Sequence, residues 1–400
     1  MRRLALTFAL ILADTNGWCA KKITVGQLED LLRSMQQDKK SDADIASDLK
    51  QMELSQELTR KAMNRLVSYV PGPLSTEQIY VLEARSADLI PPDSDLPSTP
   101  APDAAAQKAI LEKAAAYVDS TDAQLASLTA TKTTLRFQDN VEAIAASSGI
   151  QGGATDVVVS AGFSNRATFV HYINSSESQV TSVHGAEKWP SRKDKTPWGA
   201  NKMIALGAPV PSVVDVLREA QSAEGLHWLR WELINGKPAA VFAFTVPLGK
   251  SHLDVSVCCF PNITQAGIAT FYTGTTAATL GGGASGGGGV AGNFQTSTDW
   301  HSFQTMAAYH GELFIDPESG IVLRMITEAE LKPSDVVHEL DARVDFGPVK
   351  VSNQVLIEPL KTFVNTLVVP NGDSGAATYT TRRTLFTSEY RDYALAGTKR

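Results

Sequence analysis

Residues 311–325, GELFIDPESGIVLRM, place Asp316, Pro317 and Gly320 between two apolar runs and read as a β-hairpin. If Asp316 pairs with Ile321, then Leu313 and Ile315 share one face with Val322, while Phe314 lies on the other with Leu323 and Met325. A sheet with one wet side alternates apolar and polar residues, and this hairpin does not. Burying a Leu- or Phe-sized side chain is worth roughly 1.5–3 kcal/mol, so leaving either face bare would drive association. Any fold open to this chain must therefore cover the hairpin twice. The helix expected from Ser212, SVVDVLREAQSA, with Pro211 setting its start, is the economical cover for one face. The other face needs either the alanine-rich helix expected at about 103–128 or an apolar cavity between a bent sheet and its lid.

A second hairpin, residues 226–247 (LHWLRWELINGKPAAVFAFTVP), turns at Asn235-Gly236, the strongest two-residue hairpin signal. That turn predicts pairing of Ile234 with Lys237, Trp231 with Ala240, Leu229 with Phe242 and His227 with Phe244. One face then collects Leu229, Trp231, Leu233, Ala240, Phe242 and Phe244. The other collects Trp228, Arg230, Glu232 and Lys237, a set compatible with solvent. Trp231 is expected in a core or cavity wall, and Trp228 free for a partner.

Other strand-like runs, among them TATKTTLRFQD, TFVHYINSS, QVTSVHG, LDVSVCCF, ARVDFG, QVLIEPL and RRTLFTSEYRDY, follow one another at hairpin spacing. That pattern implies an antiparallel sheet rather than βαβ units. Before them, residues 24–88 are helical in period. TVGQLEDLLRSM aligns Val25, Leu28, Leu31, Leu32 and Met35, SDADIASDLKQM opens on a serine cap, and STEQIYVLEARSADL is expected to start at Ser75. Residues 91–103, PPDSDLPSTPAPD, read as a proline-rich tether. The expected fold class is α+β: a small helical domain at 20–90, a linker at 91–103, and a sheet domain at 104–395 forming a strongly curved half-barrel with one or two covering helices. A glycine-rich loop is expected at 281–292.

Met1-Arg2-Arg3 followed by the apolar run 4–13 reads as a signal peptide over 1–19, with Gly17 and Cys19 as small residues before a cut. A buried first helix is the alternative. A lipoprotein anchor at Cys19 is disfavoured, because Trp18 stands where a small residue is needed. The mature chain is expected in the periplasm or outside the cell, with no transmembrane segment left. Cys258 and Cys259 are read either as two buried thiols or as a strained vicinal disulfide. A formal charge of −7 without a basic stripe argues against nucleic acid as a partner. Gly283-Ala284-Ser285-Gly286-Gly287 spells a nucleophile elbow only because it lies in a glycine tract. The histidines show no HExxH pattern, so no metal, cofactor or catalytic residue is assigned.

GELFIDPESGIVLRM, followed by VDFGPVKVSNQVLIEPLKTFV, resembles the strand grammar of outer-membrane lipoprotein carriers of the LolA type over residues 226–393. GKSHLDVSVCCF with these hairpins, the helical N-terminal part and the tether resembles uncharacterised secreted proteins of acidobacteria. The first resemblance implies a half-barrel that shelters acyl chains. It leads to the expectation of an exported, non-enzymatic carrier or sensor of a lipid-like or other apolar ligand, with Trp231, Phe242, Phe314 and Leu323 lining the cavity. An envelope scaffold whose tethered helical domain docks a protein partner is the alternative, and a hydrolase ranks third.

Overall fold

The structure, a computed structural model, describes residues 21–122, 127–139, 170–183, 186–188, 205–206, 210–261, 270–273, 276–279, 291–293, 300–369 and 382–396. The expected signal peptide and nearly all of the glycine-rich loop lie outside these residues.

The chain opens with β1 (Lys21–Ile23), α1 (Val25–Gln37), α2 (Asp42–Leu49), β2 (Met52–Leu54), α3 (Arg60–Leu66) and α4 (Pro73–Arg85). Thr24 and Gln27 form a reciprocal capping box on α1, and Val25, Leu28, Leu32 and Met35 bury its apolar stripe. Ser41 caps α2 as expected. Between α2 and α3, Met52–Leu54 form β2, which pairs in parallel with β1. Helix α4 starts at Pro73 rather than Ser75. Ser75 is fully buried, and Asp42 accepts from the backbone N–H groups of Leu74 (3.0 Å) and Ser75 (2.9 Å), so the helix is capped by a carboxylate from elsewhere in the module.

The second part comprises α5 (Ala104–Asp122), β3 (Leu128–Gln138), β4 (His171–Val183), β5 (Ala186–Lys188), β6 (Ala205–Leu206), α6 (Val213–Ser222), β7 (His227–Ile234), β8 (Lys237–Val246), β9 (Asp254–Pro261), β10 (Thr270–Thr273), β11 (Thr276–Thr279), β12 (Ala291–Asn293), β13 (Trp300–Met306), β14 (Ala308–Ile315), β15 (Val322–Glu330), β16 (Val337–Val351), β17 (Gln354–Val368) and β18 (Arg382–Leu395). Ten strands form one sheet in the order β5-β4-β3-β18-β17-β16-β15-β14-β8-β7, every neighbour antiparallel. The half-barrel expectation is corrected: the sheet is open, with β5 and β7 at opposite edges, and is not strongly curled. Both faces carry a packed layer, and a strong curl would lift one layer away from its strands.

On the first face, α5 (Ile110, Ala114, Val118) and α6 (Val214, Leu217, Ala220) share a core with Phe242, Phe244, Leu313, Ile315 and Val322. Ser212 caps α6. The turn at 316–320 abuts α5. Gly320 has φ +77, and a Cβ there would lie 2.5 Å from the Lys113 carbonyl carbon. On the second face, Phe314 of the hairpin is buried among Ile234, Ala239, Val241 and Ile326 beneath the guanidinium groups of Arg230 and Arg324. The N-terminal helical module, not the alanine-rich helix, packs on the strands beyond and reaches the hairpin through Glu57 on Arg324. Val81, Ala84 and Ala87 pack on Phe137, Phe363 and Leu385. Because α4 and α5 lie on opposite faces, the proline-rich linker must round an edge of the sheet. Trp231 Nε1 on edge strand β7 donates to Pro100 O at 2.8 Å, so the linker is strapped against that edge.

Two expected registers change at bulges. In the 226–247 hairpin, Ile234–Lys237 and Trp231–Ala240 pair as expected, but Leu229 is inserted, so Trp228 pairs with Phe242. Trp228 therefore shares a face with Trp231, the two rings 5.0 Å apart, while Leu229 and Leu233 are about two-fifths exposed. In the 311–325 hairpin Leu323 is inserted, which moves Met325 to the Leu313 face and places Arg324 opposite Phe314. A third leucine, Leu360, is inserted in β17 before Lys361.

Candidate functional site

The densest chemistry lies where the helical module meets the second face. Glu57, between β2 and α3, accepts from Arg343 Nη1 at 2.5 Å, and that nitrogen also donates to Ala87 O at 3.0 Å. Arg343 further bonds Asp345 (3.0 and 3.1 Å), which accepts from Arg324 Nε at 2.7 Å. Arg324 Nη1 reaches Glu232 at 3.3 Å and Glu57 at 3.5 Å. Glu232 also accepts from Arg230 Nη2 at 2.9 Å, and Arg230 forms a two-pronged pair with Glu312 at 2.8 and 2.7 Å. The Phe314 ring lies beneath Arg230 and Arg324, and the Phe363 ring beneath Arg343.

Three arginines thus face four carboxylates, and their environments separate the acids. Burial pushes Glu232 up to about 7; Glu57 adds to the push, and Arg324 and Arg230 oppose it. Burial acts the same way on Asp345, but Arg343 and Arg324 overcome it and hold that carboxyl far below the usual range. Nearby, burial raises Asp341 to about 7, opposed by the amide of Asn365 and reinforced by Asp88, Glu328 and Glu339. Sequence reasoning placed Arg230 and Glu232 in a solvent-compatible set. The structure buries Glu232 and ties both residues into this network. The available signal was a charge inside an apolar strand, as with Arg324 in IVLRMI and Arg343 and Asp345 in ARVDFG.

The first face holds two features of interest. Tyr309, fully buried, donates to Glu219 of α6 at 2.7 Å, and Glu219 also lies 2.6 Å from Nδ1 of exposed His252. Beside α6, a groove of about 350 Å³ runs against α5, lined by Lys108, Leu111, Glu112, Ala115, Gln221, Glu224 and Leu226. Leu111 and Leu226 pack against the core beneath it.

The four residues expected to line one cavity are not brought together. Phe242 is in the first-face core, and Trp231 packs against that core at the linker edge. Phe314 is buried on the second face, with Leu323 half-buried beside it. None of the four lines the groove. Cys258 pairs with Ser302, and Cys259 falls at a bulge of β9, but the side chains of Cys258 and Cys259 are not among those described. Among the described residues no group of three or more His, Cys, Asp or Glu is placed to hold a metal ion. No helix among them is long and apolar enough to cross a membrane.

Compared with protein-family models, curated proteins and solved structures, the chain matches none. The likeness to lipoprotein carriers therefore rests on strand grammar alone.

Proposed function

We propose that the protein is an exported, non-enzymatic binding protein that takes an apolar ligand, such as an acyl chain, into the groove between α5 and α6. The groove carries this reading because its walls at Leu111 and Leu226 are continuous with the first-face core, while Lys108, Glu112 and Glu224 give it polar lining. Its volume, about 350 Å³, falls at the small end of ligand sites. Each methylene buried there is worth about 0.8 kcal/mol, so a chain of modest length suffices for binding. Lys108, which pairs with Glu112 one turn along α5 at 3.6 Å, is the cation among the lining residues that an anionic head group would share.

Solvent extraction of the purified protein followed by mass spectrometry tests this. Stoichiometric lipid in the wild type, lost when Ala115→Trp fills the groove, is the expected result. A wild-type protein that comes out empty and also fails to bind a fluorescent fatty acid refutes it. The scaffold reading draws on a different observation, the exposed Leu74, Tyr80 and Ile90 of the helical module. It predicts capture of a defined envelope protein that Leu74→Glu abolishes and Ala115→Trp leaves intact.

A further inference from the structure

The contact between the helical module and the sheet is oversupplied with carboxylates. The module brings Glu57, Glu83 and, at its solvent rim, Asp88. Face-on to Glu232 stand Glu57 of the module, Arg230 of β7 and Arg324 of β15, with Glu312 of β14 bound to the far side of Arg230. Around Asp341 stand Asn365 of β17, Glu339 of β16, Glu328 of β15 and Asp88 of the module. His310 pairs with Glu328 and Arg383 with Glu339, while Lys361, near Arg60 of α3, pairs with Glu83. Docking thus adds Glu57 to a cluster in which Glu232, Glu312 and Asp345 already share Arg230, Arg324 and Arg343, and brings Asp88 toward Asp341, which is hydrogen-bonded by the neutral amide of Asn365.

We propose that the helical module is an acid-tightened cover, in which docking onto the second face takes up protons and a rise in pH loosens it. The thermodynamics follow from where Glu232 and Asp341 sit in each state. With the module lifted, both gain access to water and lose Glu57 or Asp88 as a neighbour, so they release protons at lower pH than in the docked state. With the module docked, burial and the added negative charge favour their protonated forms. A group whose docked-state pKa is raised adds stability to the docked state that is full below its free pKa and fades as pH climbs through its docked pKa. Asp345, held ionised by Arg324 and Arg343, does not titrate in this window. A shift from 4.5 to about 7 at Glu232 bounds its effect at about 300-fold in the docking equilibrium, and the burial that the sheet itself still gives Glu232 with the module lifted reduces this to tens of fold.

Amide hydrogen exchange of the full chain, corrected for intrinsic rates, reads the opening of residues 54–60 and 324–345 from pH 5.5 to pH 8. The β8 core strand serves as the internal reference. Opening at the contact is expected to rise at least about 10-fold across that range while β8 stays constant. The Glu232→Gln/Asp341→Asn double variant is expected to flatten the dependence and to be tighter than wild type at pH 8. Equal or tighter docking of the wild type at pH 8, or an undiminished slope in the double variant, overturns the proposal. If that variant does not fold, Glu57→Gln decides: a shallower slope supports the cover, and a wild-type slope overturns it.

Discussion

Arg343→Met isolates the ion network from the apolar contacts around it. The guanidinium is buried and holds four groups at once: Glu57 at 2.5 Å, Asp345 through two bonds, and Ala87 O at 3.0 Å, with the Phe363 ring 5.3 Å away. Methionine keeps most of the apolar stem but leaves Glu57 and Asp345 with Arg324 as their remaining cation. Breaking a buried pair from one side costs about 3–5 kcal/mol, because a charge is stranded without solvent. Against a total stability of roughly 5–15 kcal/mol, that is a large share. Urea denaturation followed by far-ultraviolet circular dichroism supplies the number, and adding Glu57→Gln closes a double-mutant cycle. The second substitution should recover part of the loss, since it removes one stranded charge. Arg33→Met is the control. Arg33 is half exposed beside its partner Glu29, so solvent screens that pair and the denaturation midpoint should stay close to wild type. A loss under 1 kcal/mol at Arg343, or no coupling to Glu57, would refute the view that the network holds the module down.

Tyr309→Phe removes the donor to Glu219 from a fully buried site and should cost about 1–3 kcal/mol in chemical denaturation, with the fold unchanged by circular dichroism. Glu358 is buried, its Oε1 has no partner, and burial pushes it up to about 7. A raised carboxylate loses stability for the fold as pH climbs from its free value to about 7, so Glu358→Gln should match wild type near pH 4.5 and exceed it at pH 8 by up to about 3 kcal/mol, read from pH-dependent melting. Gly320→Ala places a side chain on a positive φ against the backbone of α5 and should cost about 1–3 kcal/mol. Gly249→Ala, where a Cβ meets nothing, should lie within about 0.5 kcal/mol of wild type.

Turn chemistry was the most legible part of the sequence. Asp316 N–H does bond to Ile321 O, Asn235-Gly236 does close its hairpin, and Ser41 and Ser212 do cap their helices, because each depends on a few neighbouring residues. What could not be read was which surface covers which. The demand for a second cover on 311–325 was sound, but Phe314 is roofed by the guanidinium groups of Arg230 and Arg324, and Arg324 is met in turn by Glu57, more than two hundred positions earlier. Glu57 and Ala87, which meet Arg343 there, carry no local sign of that role. The candidate site failed for the same reason. Phe242 and Phe314 pack on opposite faces, so strong apolar character in neighbouring strands did not mean a shared cavity.

The three bulges connect these errors. Leu229, Leu323 and Leu360 are each inserted just before a cation: Arg230, Arg324 and Lys361. Following the pairings across the sheet, Arg230 lies opposite Val241, Val241 opposite Phe314, Phe314 opposite Arg324, Arg324 opposite Asp345 and Asp345 opposite Lys361. The insertions therefore run along one line, and the row they flank is the one from which Arg230, Arg324, Asp345 and Lys361 enter the contact with the module or its ion network. A strand of strict alternation read outward from either turn would have assigned these leucines to a face and carried every residue beyond them to the wrong side. The bulges keep Trp228, Trp231, Val322 and Met325 on the apolar face while turning the cations toward Glu57 and Glu83. The feature that defeats a periodic reading of these strands is thus the one that lets a single sheet present grease to α5 and α6 and charge to the helical module.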